Sequence, residues 1–561
     1  MHKSPPAFPL APANTMSFFR AAPRRVRPVH VAAVVLVLVF VALMSGLKHE
    51  EPVPSIYTYT DGKTSRPWSE LTMKVGPSSE GLWLRQLVEE HSLSREIKYY
   101  SERIKPYESD ARLSMTDMNR DFKMQNFQQV HVSGDALRLE AEDQLPLPVA
   151  RSQIPGQMDV SGILFGVTTT YARVMKGDAT MINDWKLWLT DGRGQSNGGT
   201  LYLSLYKADG YEVDKVKRML KDAGIDSHVE STDETADSAT RYITMIRNLA
   251  IRSSALFIGG TKKQWLAVVD DDTFFPNMGQ LVERLAKYDP TQDMYIGLPS
   301  ERADWVVDSE LSVTYGGGAI FLSTSAAIRV SQLPCLTRKD AGSGGDEYGY
   351  LALWDALLYE CISNYTKMHM HVLPSYYAPT DEVHGTNSLN YELGIAPLAL
   401  HHSSNRHGLR SPGKAALVSG VCGEASFLQR YRFRDNWILI NGLSIFQYPN
   451  GQDVRLLGNE LPDGQYWKAV NEYHAAITMP LEYNIIVDDE WRHTKDWKVI
   501  TWAESRRAWK FIDSVRSEDG REVWQAYVRR KGETGLYTDG RVGDFAKEDS
   551  LIVLRWEVPG G

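Results

Sequence analysis

Three consecutive carboxylates, Asp270, Asp271 and Asp272, close an apolar run in the segment WLAVVDDDTFFP at 265–276. Carboxylates crowded at the end of a buried strand repel one another, and a divalent cation is the natural compensation. Hard oxygen ligands suit Mg²⁺ or Mn²⁺, which commonly bridge a protein carboxylate to a substrate diphosphate. The plainer alternative is an acidic turn whose side chains cap the next helix. The fully apolar strand before the triplet favours the metal, because open α/β sheets bind ligands outside the carboxyl ends of their strands.

Other segments carry further candidate groups. YGGGAIFLS at 315–323 sets Gly316, Gly317 and Gly318 before an apolar run, where missing side chains permit close backbone approach. That suits the floor under a sugar ring as well as a plain tight turn; a GxGxxG phosphate loop is absent. In AGSGGDEYGYLALWDALLYEC at 341–361, Asp346 heads an amphipathic run, either as a helix cap or as a general base towards an acceptor hydroxyl. Glu347 and Asp355 are lesser candidates, with Asp355 read as a solvated helix charge. PLALHHSSNRHG at 397–408 puts His401 and His402 directly after an apolar strand, and only one of them can face a given site. His369 and His371 share a face, but nothing nearby completes a metal site, so they read as structural. Cys335 and Cys361 flank the Gly-rich segment and can pair, which leaves Cys422 free.

These residues need a scaffold, and the surrounding text describes one. GILFGV at 162–167, TLYLSLY at 200–206 and WLAVV at 265–269 read as buried strands, and LTDG at 189–192 closes another. Residues 212–223, 240–252 and 278–288 read as helices. Strands alternating with helices predict an α/β fold with a mainly parallel sheet covered on both faces. Upstream, residues 48–154 begin polar and Pro-containing. Helical spacing then runs across 80–105 (Leu82, Leu84, Leu87, Val88, Ile97, Tyr100), so this region reads as a partly helical stem. Downstream of the α/β domain at 155–430, runs such as WILI, KVITW and LIVLRW cluster β-formers, predicting a β-rich module over 431–561.

Composition narrows the classes. Sixty-two Lys and Arg against 70 Asp and Glu leave a net charge of -8, which argues against a nucleic-acid binder. With 43% hydrophobic and 24% charged residues the chain is neither mainly disordered nor a multi-span membrane protein. Three cysteines without a CxxC pair exclude a disulfide-stapled scaffold and a cysteine zinc site. One apolar stretch, 29–47, is long enough as a helix (about 28 Å) to match a bilayer core. Arg20, Arg24, Arg25 and Arg27 precede it and residues 1–28 hold no acid. That predicts a cytosolic tail at 1–28, a signal anchor at 29–47 and an exported remainder in single-pass type II topology. A cleaved secretory signal is the alternative.

Taken in order, VVDDD, YGGGAIFLS, GGD before a helix ending in ECI, PLALHH and the tail VCGEASFLQRYRF resemble the Fringe-like branch of glycosyltransferase family 31, in particular its fungal-type members. The resemblance spans about 160–445. It implies a GT-A fold, an inverting mechanism, Mn²⁺, a UDP-sugar donor, a glycan or glycoprotein acceptor, and the Golgi membrane. It further implies transfer of a hexose or HexNAc in β-1,3 linkage. By position, Asp270 to Asp272 match the DxD-type motif, with Asp272 as direct ligand, and His401 matches the late metal-ligating histidine. Asp346 matches the base, and Thr168, Thr169 and Thr170 match the region meeting the nucleotide. Ser403 stands where the family often has an aromatic, which bears on acceptor contacts. Two rival readings use the same residues: a membrane-anchored glycan-binding protein with an inactive transferase domain, and a metal-dependent phosphohydrolase.

Overall fold

The computed structural model describes residues 72–73 and most of 79–559, apart from 133–143, 299–317, 338–353, 374–397, 402–408, 457–484, 488–497 and some shorter runs. Residues 64–561 form one compact unit. Two large sheets organise it.

The first sheet carries the site. Its strands are β1 (Ile163–Thr170), β2 (Thr200–Tyr206), β3 (Asp226–Thr232), β4 (Trp265–Val268), β5 (Tyr295–Leu298), β6 (Ala319–Ser323), β7 (Met370–Val372) and β8 (Ile485–Val487). They lie in the order β8-β7-β5-β6-β4-β1-β2-β3. All run parallel except β6, which is antiparallel to both β4 and β5. Both faces of the inner strands are covered, so β1, β2, β4, β5 and β6 are buried almost throughout rather than alternating, whereas the edge strand β3 is mostly polar and part-exposed. In β1, Phe165 and Val167 face one core with Trp185, Trp188 and Leu203, while Leu164 faces another with Met245, Leu249 and Leu266. Gly166 lets the second layer close: a β-carbon there would stand 2.8 Å from Leu249 and from Met245.

Five helices border the site or brace it: α1 (Tyr171–Met175), α2 (Gly210–Asp222), α3 (Ser238–Ile258), α4 (Met278–Leu285) and α5 (Trp354–Tyr365). The start of α2 is fixed by a reciprocal capping box between Asp209 and Glu212. LTDG does not close a strand. It ends the helix Thr180–Leu189, whose buried Ile182, Trp185 and Trp188 follow a helical period that outweighs the strand-like look of its last residues.

The second sheet has thirteen strands and unites remote parts of the chain. Glu96–Ser109 runs parallel to Ser550–Glu557 on one side and to Gln144–Ala150 on the other. The helical spacing expected across 80–105 holds only for the helix Ser79–Glu90, which packs Trp83 edge-on against Trp524 at 5.8 Å. From Glu96 the burial changes to alternation, the period of a strand. The β-formers of the tail appear as Trp437–Ile440, Lys498–Trp502, Glu522–Arg529 and Ser550–Glu557.

The expected fold class needs correcting at its N-terminal end. No helix among the described residues is long and apolar enough to cross a membrane, and the segment 29–47 lies outside them. The longest described helix, α3, buries one face (Tyr242, Met245, Ile246, Leu249) and carries Arg241, Arg247 and Arg252. What the described residues hold is an α/β fold built on a mixed sheet, with no transmembrane helix among them. The signal anchor, the single-pass insertion, the type II topology and the Golgi membrane placement rested on that element and have no support in the structure.

Candidate metal centre

The acidic turn begins where β4 stops. Val269 donates its backbone N–H to the Gly166 carbonyl of β1 at 3.0 Å, and the chain then turns. The Thr273 N–H closes that turn on the Asp270 carbonyl at 3.1 Å, and the Thr273 hydroxyl donates to the Gly318 carbonyl at 3.1 Å. Phe274 and Leu400 then exchange two backbone hydrogen bonds of 2.7 Å each. The residue after Leu400 is His401. This small bridge therefore delivers the histidine to the acidic turn. The next helix is capped by Asn277, which accepts from the Gln280 N–H at 2.8 Å, and by Glu424. None of the three aspartates caps α4.

The aspartates diverge. Asp270 and Asp272 point to His401, whose Nε2 lies 3.1 Å from Asp270 Oδ2 and 3.3 Å from Asp272 Oδ1. Asp271 turns the other way and is buried. It accepts from the Thr169 hydroxyl and from the guanidinium of Arg173 on α1, whose Nε is at 2.6 Å. Asp270 Oδ1 accepts from the Tyr242 hydroxyl and from the Asp271 N–H at 2.9 Å.

Charge balance follows this division. Burial opposes ionisation of Asp270, but the hydrogen bond and charge of His401, with help from Tyr242, hold its carboxyl below the ordinary range. Burial and then the neighbouring Asp270 push Asp271 up, against the opposing pull of Thr169 and Arg173. Burial and the Asp270 charge raise Tyr242 well above the phenol range, so its hydroxyl remains a donor.

Asp270, Asp272 and His401 offer ligand atoms all within 4.8 Å of one another. In an octahedral shell with bonds of about 2.1 Å, adjacent ligand atoms lie roughly 3.0 Å apart. The spacings from His401 to the two carboxylates are close to that value, and two carboxylate oxygens suit a hard cation such as Mn²⁺, which also accepts an imidazole nitrogen. The residues present fit a divalent cation.

Other candidate residues are scattered around this centre or lie apart from it. The Thr168 hydroxyl is buried with no hydrogen-bond partner among the described residues. Thr170 caps α1, accepting from the Arg173 N–H at 3.2 Å. Gly318 is buried at the start of β6, whereas Gly316, Gly317, Asp346, Glu347 and His402 lie outside the described residues. Asp355 is not a solvated charge: it is 7% exposed, because α5 packs its first turn against α3. His371 lies in β7 with its ring edge-on to Tyr288 at 5.3 Å. Cys335 and Cys361 form a disulfide, and Cys422 is a buried free thiol.

Sequence reasoning missed two residues. Arg173 carried a usable signal, a cation one helical turn past TTT. Tyr242 carried none, since its spacing with Met245, Ile246 and Leu249 is that of ordinary core.

Parts of the chain are similar to known proteins. Residues 215–339 match the Fringe family model, described as Fringe-like. The match takes in all three aspartates and ends before His401. No curated protein matches this chain. Among solved structures it is similar to a glycosyltransferase involved in the glycosylation of the major capsid of PBCV-1 (13% identity, 44% of this chain and 96% of that one, TM-score 0.23). It is likewise similar to the glycosyltransferase GlyE of Streptococcus pneumoniae (12% identity, 43% and 53%, TM-score 0.26). Mouse xyloside xylosyltransferase 1 is a third (12% identity, 44% and 98%, TM-score 0.26). Likenesses of that size do not bear on function. Over residues 215–339 the chain has a distant Fringe-like relationship, and beside it stands an acidic and histidine cluster able to hold a divalent cation.

Proposed function

We propose that the protein is a metal-dependent inverting glycosyltransferase that moves a hexose or HexNAc from a UDP-sugar to a glycan or glycoprotein acceptor, forming a β-1,3 linkage. The observation that carries this reading is the convergence of Asp270, Asp272 and His401 at the carboxyl end of β4. Ligands gather at that edge of open α/β sheets. A Mn²⁺ ion held by these three residues would neutralise charge building on the departing diphosphate.

The protein's own groups do the rest. Asp271, turned inward and tied to Arg173 and Thr169, anchors the turn so that its neighbours face outward. Thr168, Thr169 and Thr170 end β1 beside the turn and border the nucleotide. Gly316, Gly317 and Gly318 border the donor sugar. Asp346, as general base, takes the acceptor proton as the hydroxyl attacks the anomeric carbon.

A donor screen with Mn²⁺, scored by UDP release in the presence of glycan acceptors, tests the reading. Asp272→Ala and His401→Ala are each expected to abolish Mn²⁺-dependent donor binding while the thermal melt stays near wild type. Asp346→Asn should keep that binding and lose transfer by roughly 10²–10⁴-fold. Undiminished turnover in both metal-site variants would remove the metal from the mechanism.

A further inference from the structure

The two carboxylate oxygens of Asp270 have separate duties. Oδ2 faces His401 at 3.1 Å, while Oδ1 is held by the Tyr242 hydroxyl and the Asp271 N–H. Tyr242 lies on α3, remote from the acidic turn in sequence, and is 4% exposed. Its ring stacks on Trp354, the first residue of α5, with centroids 4.8 Å apart and planes 16° from parallel. Farther along α5, Cys361 is bonded to Cys335, a residue of the short helix Pro334–Thr337.

We propose that Tyr242, clamped by Trp354, is a positioning residue that fixes the rotamer of Asp270 and so preorganises the metal centre, a role that rests on Asp270, Asp272 and His401 holding a divalent cation. A carboxylate pinned at one oxygen cannot swing about its terminal torsion, which is otherwise broad. Its other oxygen then waits in the ligating direction, and no ordering cost remains when the cation arrives. Hydrogen-bond partners one step behind a metal ligand typically contribute 10–100-fold in metal affinity. Here the partner is neutral and offset-stacked, so it orients Asp270 without adding a charge that competes with the cation. Trp354 restrains the ring, and α5, held by its disulfide, restrains Trp354.

Calorimetric titration of the full chain with Mn²⁺ alone, without donor, tests this. Tyr242→Phe removes one oxygen and keeps the stack. The expected result is a roughly tenfold weaker Mn²⁺ affinity, with the apo melting temperature near wild type. Unchanged affinity in a normally melting Tyr242→Phe overturns the proposal. If that variant melts early, Trp354→Leu, which keeps the hydroxyl and frees the ring, should weaken Mn²⁺ several-fold. Wild-type affinity there is equally fatal. Asp272→Ala separates the two levels. If it abolishes binding while Tyr242→Phe does not weaken it, only the positioning role fails; if wild type takes up no Mn²⁺, both fail together.

Discussion

Three chemically identical residues in a row perform two jobs. Asp270 and Asp272 present oxygens to His401, whereas Asp271 is an internal tie to Arg173 and Thr169. The division follows from a tight turn, in which successive side chains cannot all share one face. It yields a test of roles within the triplet. Asp271→Asn keeps the volume and one acceptor but loses the charged grip on Arg173. Hydrogen bonds to charged groups are worth about 1.5–3 kcal/mol, and half of Arg173 is in solvent, so the loss should sit at the low end. A lowered melting temperature with Mn²⁺ binding largely kept is the expected pattern. The reverse pattern, full stability with no Mn²⁺ uptake, would make Asp271 a ligand.

At the scale of elements, the site depends on how α4 begins. Its first N–H groups, those of Met278 and Gly279, donate to Glu424 at 3.2 and 2.9 Å. Glu424 comes from the segment VCGEASF, so a remote carboxylate satisfies donors that every helix start leaves open. Burial raises its pKa to about 7, against the lowering effect of those two N–H groups. The folded state therefore keeps a proton that the unfolded chain loses above about 4.5. Stability falls as pH climbs from that value to about 7, by an amount on the order of 3 kcal/mol. Asp184, half-buried and accepting from the Gly413 N–H, is also raised to about 7 by desolvation and adds a slope of the same sign. Glu424→Gln removes one of the two contributions. Melting curves from pH 4.5 to 8 should show a shallower decline in that variant, and an unaltered slope would place the proton elsewhere.

On the scale of the whole molecule, the segment from Ser79 to Ala150 contributes structural substance rather than a spacer. Glu96–Ser109 pairs with Ser550–Glu557 over seven residues and buries Ile97, Tyr99, Tyr100 and Ile104. A chain beginning at 151 would leave Leu551 to Leu554 with an unpaired edge and an uncovered apolar face. It is expected to aggregate or to melt without a sharp transition, while the longer chain unfolds in one step, as one compact unit should. A sharp melt by the truncated protein would show instead that the site-bearing sheet stands alone.

What the sequence decided by itself was local. An apolar run ending in three aspartates specifies a buried strand and an acidic turn, because burial and charge crowding act over a few residues. The alternation of strands and helices from 160 to 290 was legible for the same reason, since hydrophobic periodicity is a short-range signal. It misled at LTDG and beyond Glu90, where a helix end and a strand start look alike over a few residues. Tertiary structure alone brought His401 to Asp270 across 131 positions, through the Phe274–Leu400 bridge. It also set Tyr242 beneath Asp270 and threaded 96–109 beside 550–557. Each of these depends on the register between distant segments. Many registers bury similar apolar area, so only the assembled core selects one.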